Sequence, residues 1–129
     1  MPGMTLFIVR STAEGQDASP CIDSFTGVTD IIHVSSLDEI NAVSKLTDWY
    51  AVMYDNERVD ERLNAGLEVF VEQCSADVLI LLKLDQKVIW RSPRLFRSHV
   101  ALEPGSLLPA NRSGLVFETV LNGWILPND

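Results

Sequence analysis

The chain has 129 residues, of which 47% are hydrophobic and 22% are charged, and its formal net charge is −8. This length and composition are those of a single globular domain, which excludes a two-domain enzyme, a disordered polypeptide and a collagen-like fibre. General binding to nucleic acid depends on neutralising phosphates, so an acidic chain is not expected to have a nucleic-acid partner.

The first part of the chain predicts two strands and a helix. Residues 5–10 and residues 28–34 are short apolar runs typical of buried strands, and the polar residues 12–27 between them predict a loop. Ser36 and Glu39 then form an S-x-x-E capping box, which predicts the start of a helix. Apolar residues recur every three positions after it and would form the buried face of that helix. They are Leu37, Ile40, Val43 and Leu46.

The second part predicts a third strand at residues 49–54, a helix and a hairpin. Asp60 is a candidate N-cap for that helix. Its apolar face is formed by Leu63, Leu67, Phe70, Val71 and Cys74. The unalternating run 78–84 is typical of a central parallel strand, and residues 85–86 predict a turn into a partner strand at 87–90. Residues 92–129 contain four prolines and predict irregular structure, with a short helix or strand near 115–124.

Strands that alternate with a helix and are joined by short connections favour parallel pairing. The fold prediction is therefore an α/β protein, a compact three-layer sandwich with a mostly parallel central sheet, formed by residues 1–129 as one domain.

Charge is unevenly distributed along the chain. Residues 1–82 carry a net charge of −10, whereas residues 83–112 carry a net charge of +4. The basic stretch could hold a small anion such as a diphosphate. Alternatively, it forms solvated strands that happen to use arginine.

Three groups of residues are candidates for chemistry. Asp55 and Glu57 follow the strand at 49–54, and ligands of open α/β sheets bind at the carboxyl ends of strands. Two carboxylates there could hold Mg²⁺ or Mn²⁺ and, through it, a diphosphate. The alternative is an acidic, solvated turn that leads into the helix at Asp60.

Arg94 and Arg97 flank an apolar pair in Ser-Pro-Arg-Leu-Phe-Arg, and guanidinium groups suit phosphate oxygens. The alternative is an edge strand whose arginines pair with acids such as Glu103. Glu118 lies in an apolar run, where a carboxyl with a raised pKa could act as a general base toward a sugar hydroxyl. Pairing of Glu118 with Arg94 or Arg97 is the structural alternative.

The order of these motifs resembles the second half of family-2-type glycosyltransferases with the GT-A fold, such as the lipopolysaccharide core transferases. The resemblance covers about residues 48–125. It implies a truncated GT-A-like (Rossmann-like) domain that binds a nucleotide-diphospho-sugar and transfers the sugar to an acceptor. It also implies a metal and diphosphate motif at Asp55 and Glu57, substrate binding by Arg94 and Arg97, and a catalytic base at Glu118.

The chain departs from that family at several points, among them that Asp55-Asn56-Glu57 is not a strict D-x-D motif. Phe117 stands where the family has His, and the part of the chain before Asp55 is shorter than the family's nucleotide-binding half. A reduced domain of this kind would be expected in a bacteriophage or a mobile gene cluster. These departures support an alternative function, a non-catalytic structural or assembly protein. Its homo-oligomer or partner interface would lie around exposed apolar residues such as Leu107, Leu108, Trp124 and Ile125.

The longest apolar run, residues 78–82, is far shorter than the ~18 residues of a membrane span. The N-terminal residues lack the basic region and long apolar run of a signal peptide. The two cysteines, Cys21 and Cys74, have no metal or redox spacing. We therefore expect a cytoplasmic protein without a membrane span, or a virion protein if the chain is phage-encoded.

Overall fold

The computed structural model describes residues 3–127. Its strands are β1 (Met4–Val9), β2 (Asp30–Val34), β3 (Trp49–Tyr54), β4 (Glu57–Val59), β5 (Val78–Asp85), β6 (Val88–Arg97), β7 (Phe117–Thr119) and β8 (Ile125–Pro127). Its α-helices are α1 (Ser19–Asp23) and α2 (Glu61–Gln73), and a 3₁₀ helix spans Leu37–Ala42. In this part of the chain, no helix is long and apolar enough to cross a membrane.

All eight strands belong to one mixed sheet in the order β2-β1-β3-β6-β5-β8-β4, with β7 also paired to β5. Strand β1 pairs in parallel with β2 on one side and β3 on the other. Strand β6 then runs antiparallel between β3 and β5. Beyond β5, strands β7 and β8 are parallel to it, and β4 is antiparallel to β8. The sheet is therefore parallel from β2 to β3 and contains both antiparallel and parallel pairs beyond β3.

The predicted three-layer sandwich with a mostly parallel sheet, built like a truncated GT-A domain, is wrong. Strands make up 37% and helices 19% of the residues that the structure describes, and the sheet is a strongly curled half-barrel. Helix is too scarce to cover both faces of such a sheet. On one face, α1 and α2 enclose the larger core, whereas the other face is covered by the 3₁₀ helix and by apolar residues of the segment after β6.

The missing helix between β2 and β3 explains much of this error. The capping box forms as predicted, since the Glu39 carboxylate accepts hydrogen bonds from the backbone N–H groups of Ser35 and Ser36. However, the apolar spacing of three residues matches the three residues per turn of a 3₁₀ helix, not the 3.6 of an α-helix. Only Leu37–Ala42 is helical, and Leu46 is 72% exposed.

Other local predictions are confirmed. Asp60 caps α2, with its carboxylate accepting a hydrogen bond from the Leu63 N–H at 2.8 Å. Leu63 and Leu67 are buried, and the remaining predicted apolar residues of α2 pack against the same core. The hairpin of β5 and β6 also forms, and its turn residues Gln86 and Lys87 both have positive φ, as a tight hairpin turn requires.

Candidate functional site

A polar cleft lies at the carboxyl ends of the parallel strands β1, β2 and β3, and it encloses about 470 Å³. The ends of these strands and the loop after β1 form its walls. It is lined by Ile8, Arg10, Glu14, Gly15, Gln16, Asp17, Ala18, His33, Val34, Ser35 and Asp55. This is the position at which open sheets with parallel strands bind ligands.

Asp55 ties the loop after β1 to the end of β3. Its side chain is buried, with Oδ1 accepting a hydrogen bond from the Ser11 N–H at 3.1 Å and Oδ2 accepting one from the Gln16 N–H at 3.0 Å. A carboxylate can accept about four hydrogen bonds. The Asp55 oxygens that line the cleft therefore have lone pairs beyond those used by these two backbone groups.

The loop after β1 is shaped by local contacts. Arg10 donates a hydrogen bond to the Ala13 carbonyl at 3.1 Å, and Gly15 adopts φ +72°. A Cβ at Gly15 would lie 3.3 Å from Arg10 Cγ and 3.5 Å from Asp55 Oδ2. Asp17 accepts hydrogen bonds from the Ser19 N–H and hydroxyl, which lower the pKa of Asp17.

Glu57 lies inside the protein and not in the cleft, in an ion cluster with two cations. The Arg94 guanidinium donates to both of its carboxylate oxygens at 2.6 and 2.8 Å, and Lys83 Nζ donates to Oε2 at 2.5 Å. The Tyr54 N–H adds a third donor, at 2.9 Å. Burial opposes ionisation of Glu57, but these cations and hydrogen bonds prevail and lower its pKa to about 2.

A β-bulge brings Arg94 to Glu57. Leu79 pairs with Leu95 and Ile80 pairs with Pro93, so Arg94 is the extra residue of β6. Bulges of this kind redirect a side chain that regular alternation would place elsewhere. Both members of the resulting ion pair are buried, with Arg94 3% and Glu57 0% exposed.

The predicted acid pair is therefore split between two environments. Asp55 and Glu57 do not form a solvated acidic turn, because both are buried and both accept hydrogen bonds. Within residues 3–127, no group of three or more His, Cys, Asp or Glu side chains is placed to hold a metal ion.

Arg97 lies away from the polar cleft. Its guanidinium donates to the carbonyls of Ala76 and Cys74 at 3.0 and 2.8 Å and stacks 4.1 Å above the Trp49 ring. It lines a second, more apolar cleft of about 470 Å³ together with Met4, Phe25, Trp49 and Leu67. Arg94 and Arg97 thus hold different parts of the protein together.

Glu118 is also separated from the cleft. It lies exposed on β7, which pairs with β5, whereas the cleft lies at the ends of β1, β2 and β3. Along the sheet, β5 lies three strand positions from β1 and four from β2. The predicted pairing of Glu118 with Arg94 or Arg97 is not seen, since Arg94 pairs with Glu57 and Arg97 donates to backbone carbonyls.

Several residues of the cleft were not singled out as ligand-binding residues from the sequence. Arg10 is the last residue of the first predicted strand, and His33 is the penultimate residue of β2. Both strands were predicted, so the rule that ligands bind at strand ends would have identified these residues. What the sequence did not show was that β2 and β3 both flank β1.

The apolar residues expected at an interface are mostly covered. Ile125 is fully buried and Leu107 and Trp124 are partly buried, while Leu108 is 39% exposed. The largest exposed run is instead at the tip of the β5–β6 hairpin, where Val88, Ile89 and Trp90 are 48%, 55% and 58% exposed.

The geometry of the cleft is the basis for assigning a function, because the sequence comparisons give no family. Neither the scan against protein-family models nor the search of the curated proteins finds a match to this chain.

Proposed function

We propose that the chain is a glycosyltransferase-like domain that binds a nucleotide-diphospho-sugar in the polar cleft and transfers the sugar to an acceptor. The observation that carries the proposal is the position of the cleft, at the carboxyl ends of three parallel strands. The lining supplies hydrogen-bond donors from Arg10 and His33 and acceptors from Asp17 and Asp55. Such a mixture of donors and acceptors suits a ligand rich in hydroxyl groups.

The charge of the cleft indicates how a diphosphate would bind. Glu14, Asp17 and Asp55 contribute three negative charges, against one positive charge from Arg10. A diphosphate would be repelled unless a cation lies between it and the carboxylates. Mg²⁺ is commonly held by one or two carboxylates together with substrate phosphates and water. Asp55 fits this role, and the bound cation would neutralise the diphosphate.

In this proposal Glu57 and Arg94 are positioning residues. Their buried pair fixes the start of β4, two residues after Asp55, and so holds the end of β3 at the wall of the cleft. The proposal assigns no step to Glu118, because β7 lies on the other side of β5 from the strands that form the cleft.

Isothermal titration calorimetry with UDP-, GDP- and CMP-linked sugars tests this proposal. Each titration is made with Mn²⁺ and with EDTA. We expect one nucleotide class to bind with Mn²⁺ and to bind at least about tenfold more weakly with EDTA. Absence of heat with every sugar nucleotide in folded protein would reject the proposal.

Variants of the exposed cleft residues localise the binding. Arg10→Ala and His33→Ala remove side chains from the cleft without opening a core, so the protein is expected to remain folded. Each should weaken donor binding about tenfold, whereas Arg112→Ala, an exposed cation outside the cleft, should leave it unchanged. If all three variants bind the donor with equal affinity, the donor binds outside the polar cleft.

A non-catalytic binding or assembly role is the second candidate. It is favoured by the dispersal of the predicted chemical groups, with Glu57 neutralised by Arg94 and Glu118 outside the cleft. Release of free nucleotide from a bound donor in the presence of Mn²⁺, with water accepting the sugar in place of the unidentified acceptor, distinguishes the two functions. Nucleotide release supports the transferase, and donor binding without any release supports the non-catalytic role.

A further inference from the structure

The cleft lined by Met4, Phe25, Trp49 and Leu67, here called the apolar cleft, lies at the opposite end of the sheet from the polar cleft. Met4 and Trp49 are the first residues of β1 and β3, and α2 and the segment after α1 form its walls. Its volume of about 470 Å³ falls within the ~300–1,000 Å³ that small-molecule sites enclose. Because these four residues belong to the core, the shape of the cleft is fixed before any ligand binds.

The charged residues of the apolar cleft are mainly acidic. Asp48, Glu68 and Glu72 line it, and among the described residues Arg97 is the one cation that does so. Three negative charges against one positive charge leave the lining with a net charge of −2. The cleft therefore repels an anionic ligand and attracts a cationic one.

The positions of Glu68 and Glu72 are unfavourable for α2 itself. They are four residues apart, so they lie side by side on one face of the helix and repel each other. Glu72 is also in the last turn, where the negative end of the helix dipole disfavours a carboxylate, and that turn contains no basic residue. Both side chains are exposed, and the Thr26 hydroxyl that donates to Glu68 carries no charge. A cation bound between them would remove this repulsion.

The apolar walls and the acidic rim together define the class of ligand. A hydrated metal ion takes oxygen ligands and gains nothing from apolar walls. A neutral apolar molecule would use the walls but leave the repulsion between the carboxylates in place. An organic ammonium ion with an apolar chain or ring matches both features of the cleft.

We propose that the apolar cleft binds an amphipathic organic cation, an amine that carries an apolar chain or ring. Its ammonium group pairs with Glu68 and Glu72. Its apolar part packs on Phe25, Leu67 and Val71. This site is independent of the function proposed for the polar cleft, because the two clefts share no lining residue.

A titration of the full chain followed by NMR tests the proposal. The probes are octylamine, octanol and octanoate, which share one apolar chain and differ in charge. We expect octylamine to bind at least about tenfold more tightly than octanoate, with octanol between them. The affinity for octylamine should fall as the salt concentration rises, whereas the affinity for octanol should not. The methyl signals of Leu67 and Val71 should shift with octylamine.

The double variant Glu68→Gln/Glu72→Gln separates the charge of the cleft from its shape. Both residues are exposed and their repulsion disfavours the helix, so the variant is expected to fold. It should bind octylamine at least about tenfold more weakly and bind octanol as the unchanged chain does. The matched control, Glu14→Gln/Glu118→Gln, removes the same charge from two exposed glutamates outside the apolar cleft. It should bind octylamine with unchanged affinity.

The proposal is wrong if octylamine does not bind, or if it binds no more tightly than octanoate. It is equally wrong if the Glu68→Gln/Glu72→Gln variant and the control bind octylamine with the same affinity, since the carboxylates of α2 would then take no part. Binding that shifts signals elsewhere and leaves the Leu67 and Val71 methyls unchanged would place the amine outside the apolar cleft and would also reject the proposal.

Discussion

At the scale of single residues, the buried ion cluster around Glu57 is the most consequential feature of the molecule. A carboxylate that is fully removed from water is stable only when its charge and its oxygens are matched. Arg94 supplies two parallel hydrogen bonds, and Lys83 and the Tyr54 N–H supply further donors. Removing one member would leave the other charges buried without compensation.

We therefore expect Glu57→Gln to destabilise the protein by about 3–5 kcal/mol, measured by urea denaturation at neutral pH. Glu118→Gln is the matched control, because Glu118 is exposed, and it should change stability by less than about 0.5 kcal/mol. A loss below 1 kcal/mol for Glu57→Gln would mean that the cluster stabilises the fold no more than a surface pair does.

The lowered pKa of Glu57 also predicts a pH dependence. Its pKa falls from an ordinary 4.5 to about 2 in the folded protein, so its ionised form stabilises the native state above about pH 4.5. This contribution, roughly 3 kcal/mol, is lost as the pH falls from 4.5 towards 2. Urea titrations across this range should show the decline in the unchanged chain and a smaller decline in Glu57→Gln. If the free energy of unfolding falls equally with pH in both proteins, Glu57 is not the source of the pH dependence.

At the scale of elements, the start of α2 is locked to the C-terminal segment. Asp60 caps the helix with its side chain and donates its own N–H to the Trp124 carbonyl at 3.0 Å. Gly123 lies against this cap with φ +135°. A Cβ there would be 2.3 Å from Asp60 Oδ1 and 2.6 Å from the Leu63 nitrogen. Only glycine allows the two segments to approach this closely.

Gly123→Ala should therefore displace the cap and lower stability by about 3 kcal/mol or more, since it combines backbone strain with a clash. Gly105→Ala is the control, because Gly105 also has a positive φ, +65°, but its Cβ would meet nothing within 4 Å. The control should cost only about 1–2 kcal/mol. Thermal and urea unfolding of both variants measure the difference, and equal losses would disprove the role of the clash.

At the scale of the whole molecule, stability should be greatest where the sheet is covered on both faces. Strands β1 and β3 are buried along almost their whole length, and β3 also pairs with β6 of the β5–β6 hairpin. By contrast, β7 has three residues, two of them exposed, and pairs with β5 alone. Local opening is easiest where few apolar contacts hold a strand.

Hydrogen exchange of the native protein should show this gradient. We expect amides of β1 and β3 to exchange only through global unfolding, and amides of β7 to exchange through local opening at least about tenfold faster. Exchange followed by NMR or mass spectrometry measures these rates. Uniform protection across the sheet would mean that β7 unfolds only together with the rest of the molecule.

The sequence alone determined the elements whose causes lie within a few residues. Runs of apolar residues identified β1, β3 and β5, and the N-cap at Asp60 with an apolar face identified α2. The capping box at Ser36 was also predicted correctly, but the helix after it was not, because spacing alone did not reveal how far the turn continues. Asp55 and Glu57 were identified as candidates because they directly follow a strand that the apolar run at 49–54 predicts.

Only the tertiary structure decided which strands pair and which side chains meet. The partner of Glu57 is 37 residues away and reaches it through a bulge, and an extra residue of this kind changes the face on which a side chain lies. The cleft joins Arg10, His33 and Asp55 because β2 and β3 both flank β1. Strand order follows from the packing energy of distant residues, which no local pattern contains.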